Sequence, residues 1–250
     1  LVMIMDGFTG LVRRCIEDYS MLEEGDRVAV GLSGGKDSLS LLAAMADMRA
    51  YFPKKFYLSA ITVDMGFEDM DLEPLHDLCR SLGVPYIVEK TNIASVVFKE
   101  RKEKNPCSLC VRMRKGVLNS RLAAEGINKV ALGHNLDDAV ETFFMSLLRE
   151  GRIYCFSPVT FLDRSGITQI RPLLYLSEED TTAYSRRRAL PIVKSTCPVD
   201  KAGGRQDAKE LVRDLCADYS DLKAKVFGAM QRYPLPGWKP EHHQRLPSSR

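Results

Sequence analysis

No apolar run of about 18 residues occurs in the chain, so a membrane-spanning helix and a membrane partner are not expected. The opening block, Leu1 to Phe8, is too short for a secretion signal and has no basic leader, which makes the cytoplasm the expected compartment. Internal repeats and low-complexity tracts are missing as well. So is a disulfide framework: seven cysteines, an odd number without a secretion signal, turn the question to metal or redox chemistry. Charge of either sign is nearly balanced, at +3 over 250 residues, so only its distribution can argue for nucleic acid. The apolar content suits a soluble globular chain, and the length suits one large domain or one with appendages.

What is present begins with Arg27 to Ser40. Val28, Ala29, Val30 and Leu32 form a short apolar run with a β-branched bias, bounded by charge and then glycine, which predicts a buried parallel strand. Ser33-Gly34-Gly35 is a turn that lets backbone approach a ligand, and Asp37 and Ser38 open a helix with apolar Leu39, Leu41, Leu42, Met45 and Met48. A glycine loop between a strand and a helix N-terminus offers free N–H groups and the positive end of a dipole to an anion, phosphate above all. The order Ser33-Gly34-Gly35-Lys36-Asp37-Ser38 is not a Walker A, which needs Gly, four residues, then Gly-Lys-Ser/Thr. It resembles the signature of the PP-loop ATP pyrophosphatase superfamily. That resemblance implies that the loop holds the pyrophosphate part of ATP, that cleavage falls between the α and β phosphates, and that the acceptor becomes an adenylate.

Around this loop the chain predicts a helix at 8–24, a strand at 56–63 ending in Asp64-Met65-Gly66, a helix at about 72–82 and a strand at 86–88. A further helix, a strand at 129–133 and a helix at about 136–150 follow. Strands alternating with helices predict a parallel sheet with right-handed crossovers and a ligand crevice at the strands' carboxyl ends, beside Asp64. After Gly151 the pattern changes. Tyr154–Val159 and Ile167–Arg171 read as a strand pair around Asp163-Arg164-Ser165-Gly166. Ser177-Glu178-Glu179-Asp180 reads as the start of a helix to about Arg188, and helices fit 204–216 and 218–231. From Tyr233 on, prolines and polar residues predict a tail with little fixed structure. The expected division is an N-terminal helix at 1–25, a nucleotide-binding domain at 26–200 with a Cys-x-x-Cys insertion, C-terminal helices at 201–232 and a flexible tail at 233–250.

A second informative stretch runs from Ala131 to Thr142. An apolar strand leads into Gly133, His134 and Asn135, then a helix with Asp137 and Asp138 in its first turn. Carboxylates there suit a helix N-terminus, and facing a polyphosphate they hold Mg²⁺. His134 is open between ligand, acid/base and packed polar residue. The third stretch is Asn105-Pro106-Cys107-Ser108-Leu109-Cys110, a Cys-x-x-Cys on a loop leading into a helix. Zinc, a redox pair and an iron–sulfur cluster compete for it. A zinc site needs four ligands, and no second Cys-x-x-Cys follows; a thioredoxin-like pair belongs to its own fold. An iron–sulfur cluster uses thiolates and can leave one iron open, a position that suits sulfide. Cys197 has a polar, loop-like setting. Cys15, Cys79 and Cys216 fall at apolar helix positions, where a buried thiol is ordinary, and Cys155 in its strand is ambiguous.

Taken in order, Ser33–Ser38, Pro-Cys-Ser-Leu-Cys with basic residues after it, Gly133-His134-Asn135-Leu136-Asp137-Asp138 and a later cysteine resemble the TtcA group, the tRNA 2-thiocytidine synthetases. Leu22 to Val28 and Ile170-Arg171-Pro172-Leu173 resemble that group too, so the likeness spans about residues 10–215. It departs in one place: many members carry a second Cys-x-x-Cys late in the chain, where Cys197 here stands alone. The resemblance implies an α/β, Rossmann-like PP-loop domain (adenine nucleotide alpha hydrolase-like) with helices on both faces of a parallel sheet and a small helical C-terminal extension. It implies an ATP- and Mg²⁺-dependent tRNA thiolase with a 4Fe–4S cluster on Cys107, Cys110 and Cys197. Its nucleotide site would be Ser33, Gly34, Gly35, Lys36, Asp37, Ser38, Asp64, Gly133, His134, Asp137 and Asp138. Lys36, Asp37, Asp138 and Arg114 would carry the chemistry. The partners implied are tRNA, a sulfur donor such as a cysteine desulfurase, and a second copy in a homodimer.

Basic side chains gather at Lys99, Arg101, Lys102, Lys104, Arg112, Arg114 and Lys115, and again at Arg186, Arg187 and Arg188. Either run could track an RNA backbone or be a solvated helix face; nearness to Cys107 and Cys110 favours RNA for the first. Other outcomes remain open at this stage: a 2-thiouridine-forming sulfurtransferase, a zinc-containing adenylating ligase or amidotransferase, and a non-catalytic nucleotide or RNA sensor.

Overall fold

In the computed structural model the described residues are 6–67, 70–101, 106–193, 196–197, 204–233 and 237–238. The apolar run after Arg27 forms β1 (Arg27–Gly31), with Val28, Ala29 and Val30 shut off from solvent on both faces. That double burial fits a strand covered by helices above and below. β2 (Tyr57–Asp64) pairs with it on one side and β4 (Lys129–Ala131) on the other, both parallel; β3 (Tyr86–Lys90) extends the β2 edge. β6 (Ile167–Ile170) joins β4 in parallel, and β5 (Val159–Leu162) closes that edge antiparallel, giving the order β3-β2-β1-β4-β6-β5. The chain leaves β1 toward β2 on one side, whereas β4, entered from β3, leads on to β5 and β6 on the other. A crevice therefore opens between the carboxyl ends of β1 and β4.

α1 (Gly7–Asp18), α2 (Lys36–Met48) and α3 (Glu73–Ser81) pack with β1 and β2 into the main core, through Val12, Ile16, Leu39, Leu42, Met45 and Leu75. α4 (Pro106–Ala124) lies over a second cluster of Ala29, Ile61, Leu122, Ile127, Val130 and Ile167. A small third cluster of Met65, Ile93, Val97 and Leu109 lies under the start of α4 and the π-helical turn Ser95–Glu100. α5 (Leu136–Glu150), α6 (Glu178–Arg187), α7 (Gly204–Asp218) and α8 (Leu222–Arg232) complete the chain. No helix among the described residues is long and apolar enough to cross a membrane.

Four expectations are corrected. The first helix ends at Asp18 rather than at 24, where Ser20 takes a positive φ of 45° and sends Met21 and Leu22 into the core. The strand expected at 154–159 begins only at Val159. Its upstream carbonyls are taken by side chains: Arg171 Nη1 donates to Ser157 O at 2.6 Å and Trp238 Nε1 to Phe156 O at 2.9 Å. Cys155 therefore lies outside the sheet, buried, with its Sγ donating to Ala139 O and its thiol pushed up to about 12 by burial. Cys216 is only partly buried, whereas Cys15 and Cys79 are buried as expected.

The expected flexible tail includes Trp238, which is fully buried and stands edge-on to Phe227 at 5.2 Å. One anchor among prolines gives composition no signal. Residues 234–236 and 239–250 lie outside the described residues. Trp238→Ala removes a large buried ring and strands the Phe156 carbonyl; urea unfolding should show a loss of about 3–5 kcal/mol.

Candidate functional site

Every stretch singled out by motif reaches the carboxyl end of the sheet. Leu32 is still held to β2, its N–H on Ile61 O at 2.8 Å, and the chain then turns through Gly34 at φ +81°. Ser38 Oγ closes the turn: it accepts from Ser33 N–H at 3.2 Å and donates to Gly35 O at 2.9 Å. Gly35 starts α2 without a side-chain cap, so the first N–H groups of that helix face the loop.

Close approach sets the shape around it. A Cβ on Gly133 would stand 3.0 Å from Ser38 N and 3.1 Å from Asp37 C, so glycine lets the end of β4 press on the first turn of α2. Beyond it, the His134 ring rests on Phe156 at 5.0 Å. At the end of β2, Asp64 Oδ1 accepts from Gly66 N–H at 2.9 Å and shapes the turn there.

The carboxylates divide their work. Asp37 Oδ1 accepts from Thr181 Oγ1 at 2.6 Å and from Asn135 Nδ2 at 3.3 Å, and its carboxylate meets Lys36 Nζ at 3.1 Å. Asp138 forms a capping box with Asn135 at the head of α5. Asp137 is buried; it accepts from Glu178 N–H at 2.7 Å and pairs with Lys223 of α8. Of the three, Asp37 is the one beside the loop lysine.

Lys36 Nζ also meets Glu178 at 3.2 Å, and Glu178 in turn takes Lys209 of α7 at 2.6 Å. Burial alone would lower the Lys36 ammonium, but Asp37 and then Glu178 raise it above its ordinary value. Burial works against the Glu178 carboxylate, yet Lys209 and Lys36 bring it below its ordinary value. Sequence reasoning missed Glu178, Thr181, Lys209 and Lys223. The helix-start composition at 177–180 is confirmed as a Ser177–Asp180 capping box, but nothing in it points across to Lys36.

Cys107 and Cys110 lie within the first turns of α4, not on a loop before it. Cys107 is exposed, while Cys110 and Cys197 are partly covered. The Cys110 thiol is raised by burial against the Met65–Val97 cluster; Arg114 opposes that shift, and Cys197 and Cys107 both add to it. Cys107, Cys197 and the Arg114 guanidinium are thus each within electrostatic reach of Cys110.

Cys197 also has a link to the glycine loop. Val193 N–H donates to Gly34 O at 3.0 Å, and four residues of chain span at most about 14 Å. Among the described residues no three His, Cys, Asp or Glu side chains surround a single-ion site. A cubane cluster takes each thiolate on a different iron, so its ligands stand farther apart than those of one ion. Thiols that act on one another at Cys110, beside the apolar Met65–Val97 cluster, fit such a group.

The basic runs fare differently. Arg187 pairs with Asp6 and Arg188 with Asp47, so the second run braces α1 and α2 rather than forming an open phosphate track. Lys99, Arg101, Arg112, Arg114 and Lys115 are exposed along the first; Lys102 and Lys104 lie outside the described residues.

A profile for the PP-loop domain matches residues 10–200. The chain is 35% identical over 223 residues to the tRNA-cytidine(32) 2-sulfurtransferase of Syntrophotalea carbinolica, covering 88% of this chain and 86% of the relative. It is 36% identical over 224 residues to the tRNA-cytidine(32) 2-sulfurtransferase of Dichelobacter nodosus, covering 89% and 84%. The fold superposes on the U34-tRNA thiolase NcsA from Methanococcus maripaludis, solved with its [4Fe-4S] cluster. The TM-score is 0.76 at 24% identity, covering 91% of this chain and 77% of that one.

Two outcomes test this geometry. Gly133→Ala must displace the first turn of α2 and should cost about tenfold or more in kcat/KM for ATP, with the circular dichroism spectrum kept. Glu178→Gln should lower the urea midpoint at pH 7 by under about 1 kcal/mol equivalent, the pair being partly exposed. Because the folded carboxyl lies below its ordinary 4.5, its contribution is present above that value and shrinks as pH falls below it. The gap between wild type and variant should narrow accordingly.

Proposed function

The chain belongs to the PP-loop domain family, and on that premise we propose that it is a tRNA sulfurtransferase that adenylates and then thiolates C2 of an anticodon-loop cytidine, giving 2-thiocytidine. ATP-dependent thiolation of tRNA is the activity its curated relatives support, and they are named for cytidine 32. The observation that carries the reading is the hydrogen bond from Val193 N–H to Gly34 O, four residues before Cys197.

ATP lies with its β and γ phosphates on the Ser33–Ser38 loop. The uncapped amides of α2 and the Lys36 ammonium take the charge of the departing pyrophosphate. Asp37, held by Thr181 and Asn135, is the carboxylate that meets a phosphate-bound Mg²⁺; Asp137 and Asp138 hold the surrounding helices in place. The C2 oxygen of the cytosine attacks the α phosphorus, the Pα–O bond to pyrophosphate breaks, and the poor leaving oxygen becomes part of AMP.

Cys107, Cys110 and Cys197 would hold a 4Fe–4S cluster, which would supply sulfide as the nucleophile. At C2 a C–S bond forms and the C–O bond breaks, and that oxygen leaves on AMP. Arg114, whose charge reaches Cys110, orients the base and balances the negative charge that develops. The exposed Lys99, Arg101, Arg112 and Lys115 draw in the tRNA backbone, and a cysteine-derived sulfur donor reloads the site. A persulfide on Cys197 or Cys110 is the competing carrier.

Mass spectrometry of tRNA nucleosides from a deletion strain should show loss of 2-thiocytidine alone. The wild-type chain should restore it; Lys36→Ala and Cys107→Ser should not. Lys36→Ala should slow pyrophosphate release about 10²- to 10³-fold. A brown protein from anaerobic purification supports the cluster, and a colourless active one the persulfide. Loss of 2-thiouridine, or no change in the tRNA, overturns the reading.

A further inference from the structure

Glu178 stands between two lysines, one oxygen to each. Its Oε1 meets Lys36 Nζ at 3.2 Å and its Oε2 meets Lys209 Nζ at 2.6 Å. The backbone behind that carboxylate is fixed: Glu178 opens α6, and its N–H donates to buried Asp137 at 2.7 Å. Lys209 comes from α7, after the last strand of the sheet, and its backbone is fixed too. Ala208 and Val212 beside it are buried, and Asp207 pairs with Arg149 of α5. The Lys209–Glu178 pair adds little to stability, since its side chains are 47% and 35% exposed. Its weight lies in the charge balance around the loop. Lys36 already meets Asp37 at 3.1 Å, so with Glu178 alone one ammonium would face two carboxylates, and the head of α2 would be net negative. A polyphosphate would approach against that charge. Lys209 restores the balance.

We propose that Lys209 is a positioning residue of the nucleotide site, acting through Glu178 to leave the loop lysine free for the pyrophosphate part of ATP. The inference rests on the reading of the Ser33–Ser38 loop as a pyrophosphate cradle and adds a residue of α7 to it. When the anion arrives, Lys36 turns from Glu178 to a phosphate oxygen. Glu178 keeps Lys209, so the exchange leaves no half-buried carboxylate without a cation, which is the costly outcome. Without Lys209, every contact of Lys36 with phosphate is made against the pull of Glu178. A direct phosphate ligand would aim its ammonium at the loop amides; that of Lys209 is engaged by Glu178 instead, which makes its action indirect.

Calorimetric titration of magnesium pyrophosphate into the full chain, prepared anaerobically, tests this. Lys209→Met keeps the stem and loses the charge; it should weaken binding about 2- to 5-fold, while Lys209→Arg should bind as the wild type does. In a Glu178→Gln background Lys209→Met should cost nothing further, because the group through which it acts has lost its charge. A role in stability alone would shift the urea midpoint and leave the dissociation constants alike. The proposal is overturned if Lys209→Met binds like the wild type, if Arg and Met lose equally, or if the same factor is lost with Glu178→Gln present. Persistence of the loss in that background would mark a direct phosphate contact. Should the wild type not bind pyrophosphate at all, the reading of the loop itself fails first.

Discussion

A single backbone contact sets the geometry on which the site depends: the amide of Val193 on the carbonyl of Gly34. Phosphate chemistry requires the glycine loop to be open on its amide side, and this bond uses the opposite, carbonyl side. The segment leading to Cys197 can therefore cross the loop without blocking it. Cys107 and Cys110 stand at the head of α4, and Cys197, four residues after Val193, acts electrostatically on Cys110. Strand ends supply the crevice, and one loop-to-loop bond ties the chain just before Cys197 to its glycine loop at Val193.

Charge completes the arrangement. The loop lysine stands between Asp37 and Glu178, Glu178 leans on Lys209, and Asp137 leans on Lys223. Two of those lysines belong to α7 and α8, which would otherwise look like an appendage. The polar atoms around Lys36 thus draw on α2, α5, α6, α7 and α8 together. Such a network orients the loop lysine more than it stabilises the fold, because its members are only partly buried and each pair is worth little alone.

Much of this was legible in the residues. The strand–loop–helix of Val28 to Met48 carries its apolar period openly, and α5 begins and ends where its cap and Gly151 predict, at 136 and 150. The order of motifs gave the cysteine trio through resemblance, and Cys107 and Cys197 each act electrostatically on Cys110. Other parts were not legible, for physical reasons. Lys36 and Glu178 are 142 positions apart, and a long-range ion pair leaves no local pattern. Arg187 and Arg188 look free in sequence because Asp6 and Asp47 reach them only through the packing of α1 and α2 on α6. Residues 154–158 alternate like a strand, yet Arg171 and Trp238 take their carbonyls first.

Gly34 answers to two masters. Its φ of +81° excludes side chains on steric grounds, and a Cβ there would stand 3.0 Å from that of Val193. Descendants of this chain that gave up sulfur and let residues 190–197 drift away would shed the second restriction and keep the first. Glycine at this place would then persist as an inherited hinge shape, whatever reaction the crevice came to host.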